Sequence, residues 1–271
     1  MPAITNKQQL LTHAHTALKK RFPLPALDTD APARPLLEEL VYAICREGST
    51  TADADAAFGR LRKTFVDWNE IRVSTMQEVA DVLRPLPQSG PRAGWIIGLL
   101  HAVFELNYAF DLGDMEKKGL KNAAKQISRY FNAKDLDAKG LKQAAKQIGR
   151  FKQVNDFAVA WVVQRSLGGH AIPLDGPTVR VLTRLGTIDA DDVDPEDLES
   201  LRGGIEHVIP KARGPEFTEL MSVHAKELCT EKNPHCAKCP LLSECPAGQE
   251  FTSKKPEKAK DKPDDKPKKS R

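Results

Sequence analysis

The sequence predicts an all-α fold, on two observations. Apolar residues recur at helical spacing in one segment after another, and almost no segment alternates with the period of two that a half-buried strand would show. At 271 residues the chain can bury a sizeable core, and length alone permits one large domain or two small ones.

The elements follow in order. Residues 1–21 form a first helix, with Leu10, Leu11, Ala14, Ala17 and Leu18 near helical spacing, and the Pro-rich connector PLPALDTDAPARP ends it. Leu36, Leu37, Leu40, Val41, Ile44 and Cys45 then repeat as the wide stripe of a core-facing helix. Cys45 lies inside that stripe and reads as a small buried hydrophobe. A third helix starts at the Ser49-Thr50-Thr51 cap cluster and runs through Ala57, Phe58 and Leu61. Met76, Val79, Val82 and Leu83 mark another, broken by Pro85 and Pro87, and AGWIIGLLHAVFEL, apolar on nearly all sides, predicts a buried helix.

Between Glu116 and Arg150 the chain turns polar and nearly repeats itself, KGLKNAAKQISRY at 118–130 returning as KGLKQAAKQIGRF at 139–151. Two copies are too few for a solenoid, so a duplicated amphipathic helix with a Lys-rich face is expected, solvated or against a nucleic-acid backbone. The second copy leads through a short polar hairpin into FKQVNDFAVAWVV, giving helix, hairpin, helix. In HAIPLDGPTVRVLTRLG, Thr178, Val181, Leu182 and Leu185 supply a further helical stripe. An acidic, irregular stretch with a helix over PEDLESLRGGIEHVI follows, and then EFTELMSVHAKELC. From Thr252 onward no apolar residue is larger than Ala, so a disordered tail is expected over 252–271.

Charge and hydropathy bound the function classes. No apolar run approaches the roughly 20 residues of a membrane span, and the N-terminus lacks a signal-like apolar region, so a soluble cytoplasmic protein is expected. The net charge of +4 is uneven: residues 252–271 hold eight Lys and one Arg against four acidic residues, a net of +5, which leaves −1 for residues 1–251. The tail is the one strongly basic segment, either a solvated tether or a nonspecific phosphate contact.

Four cysteines, Cys229, Cys236, Cys239 and Cys245, are spaced C-x6-C-x2-C-x5-C and followed by Pro246. Four thiolates in one short segment can surround a single metal centre. Paired CxxC knuckles are the usual zinc arrangement, whereas one CxxC flanked by longer, unequal gaps suits the corners of a [4Fe-4S] cubane, with zinc or disulfides as the alternatives. His224 and His235 flank the segment and read as surface groups or groups that support the ligands.

The cysteine spacing resembles the cluster loop of the endonuclease III family of DNA glycosylases, and the order of elements over residues 34–246 extends the likeness. The hairpin at Lys152 to Asn155, then IPLDGPTVRVLTRLG in place of the family's V-D-T-H-V-x-R-x-x-x-R-L-G, then the cysteines, keep the family order, and Asp67 to Arg72 (DWNEIR) matches a pattern of one branch. The resemblance implies a helical barrel with helix-hairpin-helix at 34–169, a cluster domain built from 1–33 and 170–251, a [4Fe-4S] cofactor, a monomer, and double-stranded DNA as partner. Asp175 then matches the catalytic Asp, Lys152, Gln153, Val154 and Asn155 the DNA-binding hairpin, and Arg180 an Arg of the family pattern.

The departures carry chemistry. The family's L-P-G-V-G-[RP]-K-T-A corresponds to residues 151–159, where Gln153 and Asn155 replace both glycines and Phe157 replaces the lysine. Glycine permits positive φ and close approach of a phosphate to main-chain N–H groups; Asn tolerates that conformation and Gln poorly. The lysine is the amine that forms a Schiff base, and Phe has no nucleophile. The resemblance therefore implies a monofunctional N-glycosylase in base-excision repair, with Asp175 assisting water or stabilising the sugar cation, or a DNA-binding paralogue without chemistry in which Asp175 caps the helix begun by Pro177. Glu47 stands where the family often has Gln; a carboxylate there would repel phosphate, or it ends an exposed helix.

Overall fold

The computed structural model describes residues 6–24, 34–110, 142, 145, 146, 148, 149, 151–189, 191, 193 and 198–253. Its regular elements are all helical: α1 (Lys7–Arg21), α2 (Leu36–Arg46), α3 (Thr51–Thr64), α4 (Trp68–Val73), α5 (Met76–Leu83), α6 (Ser89–Asn107), α7 (Asp156–Arg165), α8 (Gly176–Leu185), α9 (Leu198–Val208), α10 (Gly214–Glu227) and α11 (Pro246–Ser253). Short polar side chains set the starts. Thr50 and Asp53 form a capping box on α3, Thr75 and Glu78 another on α5, and Asn6, Asp67, Asn155 and Asp175 accept from first-turn N–H groups of α1, α4, α7 and α8.

Two hydrophobic clusters organise these helices. The first gathers α2 to α7 around Leu40, Leu61, Leu83, Ile96, Leu99 and Leu100, all buried, with α5 and α4 against α6 and α3 and α7 against α2. The second joins α1, through Leu10, Leu11, Ala14 and Leu18, to α8, α9 and α10 and extends to Leu241. The chain passes from one cluster to the other between Ala171 and Ile172. Burial of each large aliphatic side chain stabilises the fold by about 1.5–3 kcal/mol.

A buried ionic network ties the clusters together. Arg46, fully buried at the end of α2, donates from Nη2 to Glu219 Oε2 at 3.0 Å and to Ser222 Oγ at 2.8 Å, both on α10, while Arg165 of α7 donates to Glu219 Oε1 at 2.7 Å. Both guanidiniums lie over the Trp161 ring, whose Nε1 donates to Glu39 Oε1 at 2.5 Å. One carboxylate shared between two arginines, with the Thr51 hydroxyl also donating to its Oε2 at 2.5 Å, meets the condition under which a buried charge is tolerated.

Three expectations change. The apolar run at 93–106 does form α6, but Trp95, His101 and Glu105 are exposed, and among the described residues the helix packs mainly on α2, α4 and α5. Thr252 and Ser253 belong to α11 and not to a disordered tail, since Thr252 Oγ1 bonds Gly248 O at 2.9 Å and the Arg184 guanidinium lies over the Phe251 ring. Glu47 is half-buried and engaged, not an exposed helix end. The first repeat copy, most of the second, and residues 254–271 lie outside the described residues; those described at 142, 145, 146 and 148 are helical. Cys45 is fully buried, its thiol pushed up to about 12 by that burial.

Candidate active site and cysteine loop

Asp175 is the N-cap of α8, its Oδ1 accepting from Thr178 N at 2.8 Å, with Pro177 in the first turn. Its Oδ2 accepts from Gly48 N at 2.9 Å, a residue 127 positions earlier. The carboxylate is 3% exposed and yet borders a cavity of about 580 Å³ between the two clusters. Two main-chain donors thus fix its rotamer while one edge faces space large enough for a small ligand.

Gly48 reaches Asp175 because α2 stops abruptly. It follows the C-cap Glu47 with φ +64°, a left-handed conformation that glycine adopts at no steric cost. Arg92, 3% exposed on α6, holds the turn: its Nε donates to Pro87 O at 2.7 Å, and its terminal nitrogens donate to the carbonyls of Ile44 and Glu47. Those carbonyls would otherwise be orphaned at the helix end. Nothing in the sequence distinguishes Arg92 from a surface arginine.

Glu47 Oε2 accepts from Asn155 Nδ2 at 2.8 Å, linking the end of α2 to the hairpin before α7. Burial pushes the Glu47 carboxyl up, the Asn155 hydrogen bond and the Arg92 charge oppose that, and Asp175 adds to it. Lys226 of α10 lines the same cavity as Asp175 and pairs with Asp53, whose carboxyl is held below its ordinary value by Lys226 and Thr50 although burial acts the other way. Lys226 was not singled out from the sequence; its place one turn before Cys229 on a helix is the only available signal.

The hairpin residues divide. Lys152 is exposed, whereas Val154 is 7% exposed in the first cluster and its N–H donates to Phe151 O at 2.9 Å. Gln153 lies across Gly98, where a Cβ would meet its Cγ at 2.9 Å, so the side chain packs the hairpin onto α6. Asn155 is extended, φ −86°, since its side chain caps α7 by accepting from Ala158 N at 3.0 Å. No hairpin residue from 151 to 155 has positive φ. Phe157 is 2% exposed and stacked on Trp161, with ring centroids 6.0 Å apart. Arg180 donates to Cys229 O at 3.0 Å and Ala225 O at 3.2 Å, and so fastens α8 to the end of α10.

Cys229, Cys236, Cys239 and Cys245 line one small cavity walled by Val181, Leu185, Leu228 and Leu241. Among the described residues, no three His, Cys, Asp or Glu side chains are grouped as a site for a metal ion. Burial raises the Cys236 and Cys245 thiols, and Cys239 to about 11, with neighbouring cysteines adding to each shift. Arg184 Nη1 lies 3.5 Å from Cys229 Sγ, and Gly248 N donates to Cys245 Sγ at 3.3 Å. Four soft sulfurs in an apolar shell, with donors aimed at two of them, fit a thiolate-held cluster in donor chemistry. His224, 2% exposed and lowered by burial to about 4, places Nε2 4.0 Å from Cys239 Sγ. His235 is exposed.

No described helix is long and apolar enough to cross a membrane. No protein-family profile matches the chain, and no curated protein sequence does. Solved structures do. A trapped covalent intermediate of endonuclease III with DNA is 20% identical with a TM-score of 0.60, the match covering 92% of this chain and 100% of the other. A non-covalent endonuclease III–DNA complex gives 20% identity and a TM-score of 0.62 over 93% and 100%. A thermostable thymine-DNA glycosylase gives 17% and 0.53 over 90% and 97%. At such identities the likeness is one of fold, and the chain has the all-helical fold shared by these DNA glycosylases.

Proposed function

We propose that this chain is a base-excision DNA glycosylase acting on double-stranded DNA as a monomer in the cytoplasm, at the nucleoid in a prokaryote. The observation that carries the reading is the Asp175 carboxylate, oriented by Gly48 N and Thr178 N at the edge of a cavity of about 580 Å³ between the two hydrophobic clusters. A nucleobase must leave the duplex stack before its glycosidic bond can be cut, and a cleft beside a fixed carboxylate suits that chemistry. Asp175 would stabilise positive charge developing on the sugar or orient the attacking water as the base departs.

Hydrolysis without a covalent intermediate is supported by two side chains. Phe157 is buried on Trp161 with no amine to offer, and the Lys226 amine, in the Asp175 cavity, is engaged by the Asp53 carboxylate. Cys229, Cys236, Cys239 and Cys245 would hold a [4Fe-4S] cluster, which would anchor the loop after α10. The proposed domains are 34–169, and 1–33 with 170–251, with the basic tail beyond; the passage from one hydrophobic cluster to the other between Ala171 and Ile172 supports a boundary close to that one. Lys152 would approach the DNA backbone at the hairpin, whereas Gln153, Val154, Asn155 and Arg180 would act by shaping that surface.

A second reading has its own observation. Both Asp175 oxygens already accept main-chain N–H groups, as in a purely structural helix cap. The two readings separate in a panel of damaged and mismatched duplexes assayed for released base, with borohydride present. The glycosylase reading expects free base from at least one duplex and no trapped protein–DNA adduct. Duplex binding without release from any of them would favour the binding protein, and a trapped adduct would point to an amine such as Lys226.

A further inference from the structure

The cavity shared by the four loop cysteines has walls of unequal firmness. Val181, Leu185 and Leu228, from α8 and the end of α10, belong to the second hydrophobic cluster. Another wall is α11, which starts at Pro246 directly after the last cysteine and contributes Gly248 and Phe251. Gly248 is the one buried residue of α11, and none of its side chains belongs to either cluster. A helix held by so little burial opens at a lower free-energy cost than the walls around it.

What holds α11 in place is local. Gly248 N donates to Cys245 Sγ at 3.3 Å, and Gln249 Nε2 donates to Ser243 O at 2.7 Å. Glycine at 248 permits this close approach, since a Cβ there would meet Leu242 Cδ1 at 3.3 Å and Cys245 Sγ at 3.4 Å. Three residues later the Phe251 ring rests against the Arg184 guanidinium, with Cζ 5.4 Å from the ring centroid. Arg184 is itself tied to the cysteine loop: Nη1 donates to Thr230 O at 2.7 Å and Nη2 to Glu231 O at 2.8 Å, and Nη1 lies 3.5 Å from Cys229 Sγ. The edge of the guanidinium thus serves the loop while its face carries the ring. From Thr252 onward nothing apolar is larger than Ala, so Phe251 is the last large apolar side chain, and at 47% exposure the rest of it is taken up by these contacts.

We propose that α11 is a hinged cover over the cysteine cavity, closed by Phe251 on Arg184, and that its opening sets how fast solutes reach a bound cluster. The inference rests on the [4Fe-4S] reading of the four cysteines but concerns access and not ligation. The apolar shell around a metal site controls solvent entry, and here the weakest part of that shell is one helix fastened by one ring. Opening at Phe251 leaves all four sulfurs in place and uncovers the side of the cavity that α11 closes.

The test uses the full chain, purified anaerobically, with bathophenanthroline disulfonate in excess as the probe for released iron. Phe251→Ala should carry wild-type iron and sulfide and release the iron about 5- to 20-fold faster, the loss of one exposed cation–π contact and of a half-covered ring. Its melting temperature should stay at the wild-type value, because α11 alone opens. Phe251→Tyr keeps the aromatic face and should release iron within about twofold of the wild-type rate. Release from Phe251→Ala at the wild-type rate would overturn the inference, as would equally faster release from both variants with equally lowered melting temperatures. If Phe251→Ala is recovered without iron, Phe251→Leu carries the same comparison: faster release supports the cover, and the wild-type rate overturns it. Wild-type protein without iron and sulfide would remove the cluster reading itself, and the inference with it.

Discussion

The N–H of Gly48 donates to Asp175 Oδ2 at 2.9 Å across 127 residues of sequence, joining the first hydrophobic cluster to the helix that opens the second. This bond fixes the second oxygen of a carboxylate whose first is held by its own helix, and it exists only because α2 ends in a left-handed turn.

Replacing Gly48 with Ala tests that dependence. At φ +64° a Cβ costs roughly 1 kcal/mol, and the nearest atoms, Arg92 Nη2 at 3.7 Å and Pro177 Cγ at 4.0 Å, leave room for the methyl group itself. The variant should fold with a melting temperature a few degrees lower and lose more base-excision activity than stability, since relaxation of the turn moves the N–H off Asp175. Stability and activity equal to wild type would show that the turn does not position the carboxylate.

Glu47 gives a pH dependence with a definite sign. Burial raises its carboxyl in the folded chain, with Asp175 adding to the shift and Asn155 and Arg92 opposing it. The folded state therefore binds a proton more tightly than the unfolded one, and stability falls as pH rises from the ordinary carboxylate value through the raised one. Glu47→Gln keeps an acceptor for Asn155 without the charge. The variant should melt above wild type at neutral pH, with the difference vanishing at pH below the ordinary carboxylate value. A difference constant across that range would assign the effect to packing.

The cysteine loop makes an analytical prediction. Protein purified anaerobically should be brown and contain about four iron and four sulfide per chain, and Cys239→Ser should lower both. One zinc per chain with no sulfide would replace the cubane by a mononuclear site.

Local chemistry accounts for what was legible in the sequence. The stripes of α2 and α8, the caps at Thr50 and Asp175, and the cysteine spacing are written in residues a few positions apart, so periodicity and spacing reveal them. The Arg46–Glu219–Arg165 network, the Arg92 clamp and the Lys226–Asp53 pair link residues far apart in sequence, and a buried, paired charge has the same letter as a solvated one. Gln153 and Asn155 were read for the φ that glycine would have given. In the structure one packs over Gly98 and the other caps α7, roles set by neighbours that sequence spacing does not supply. The exposure of Trp95 was hidden for the same reason: a uniformly apolar run does not reveal which of its side chains reach solvent.

The central claim is that Asp175 performs chemistry at the cavity it borders, and comparison of Asp175→Asn with wild type tests it most directly. The amide keeps the shape and an acceptor for Thr178 N, but it removes the negative charge and cannot accept from both donors. On a duplex whose base the wild type releases, single-turnover excision should fall by about 10²- to 10⁴-fold, with duplex affinity changed by less than about threefold. Excision at the wild-type rate by a folded Asp175→Asn protein would contradict the account and leave Asp175 as the cap of α8.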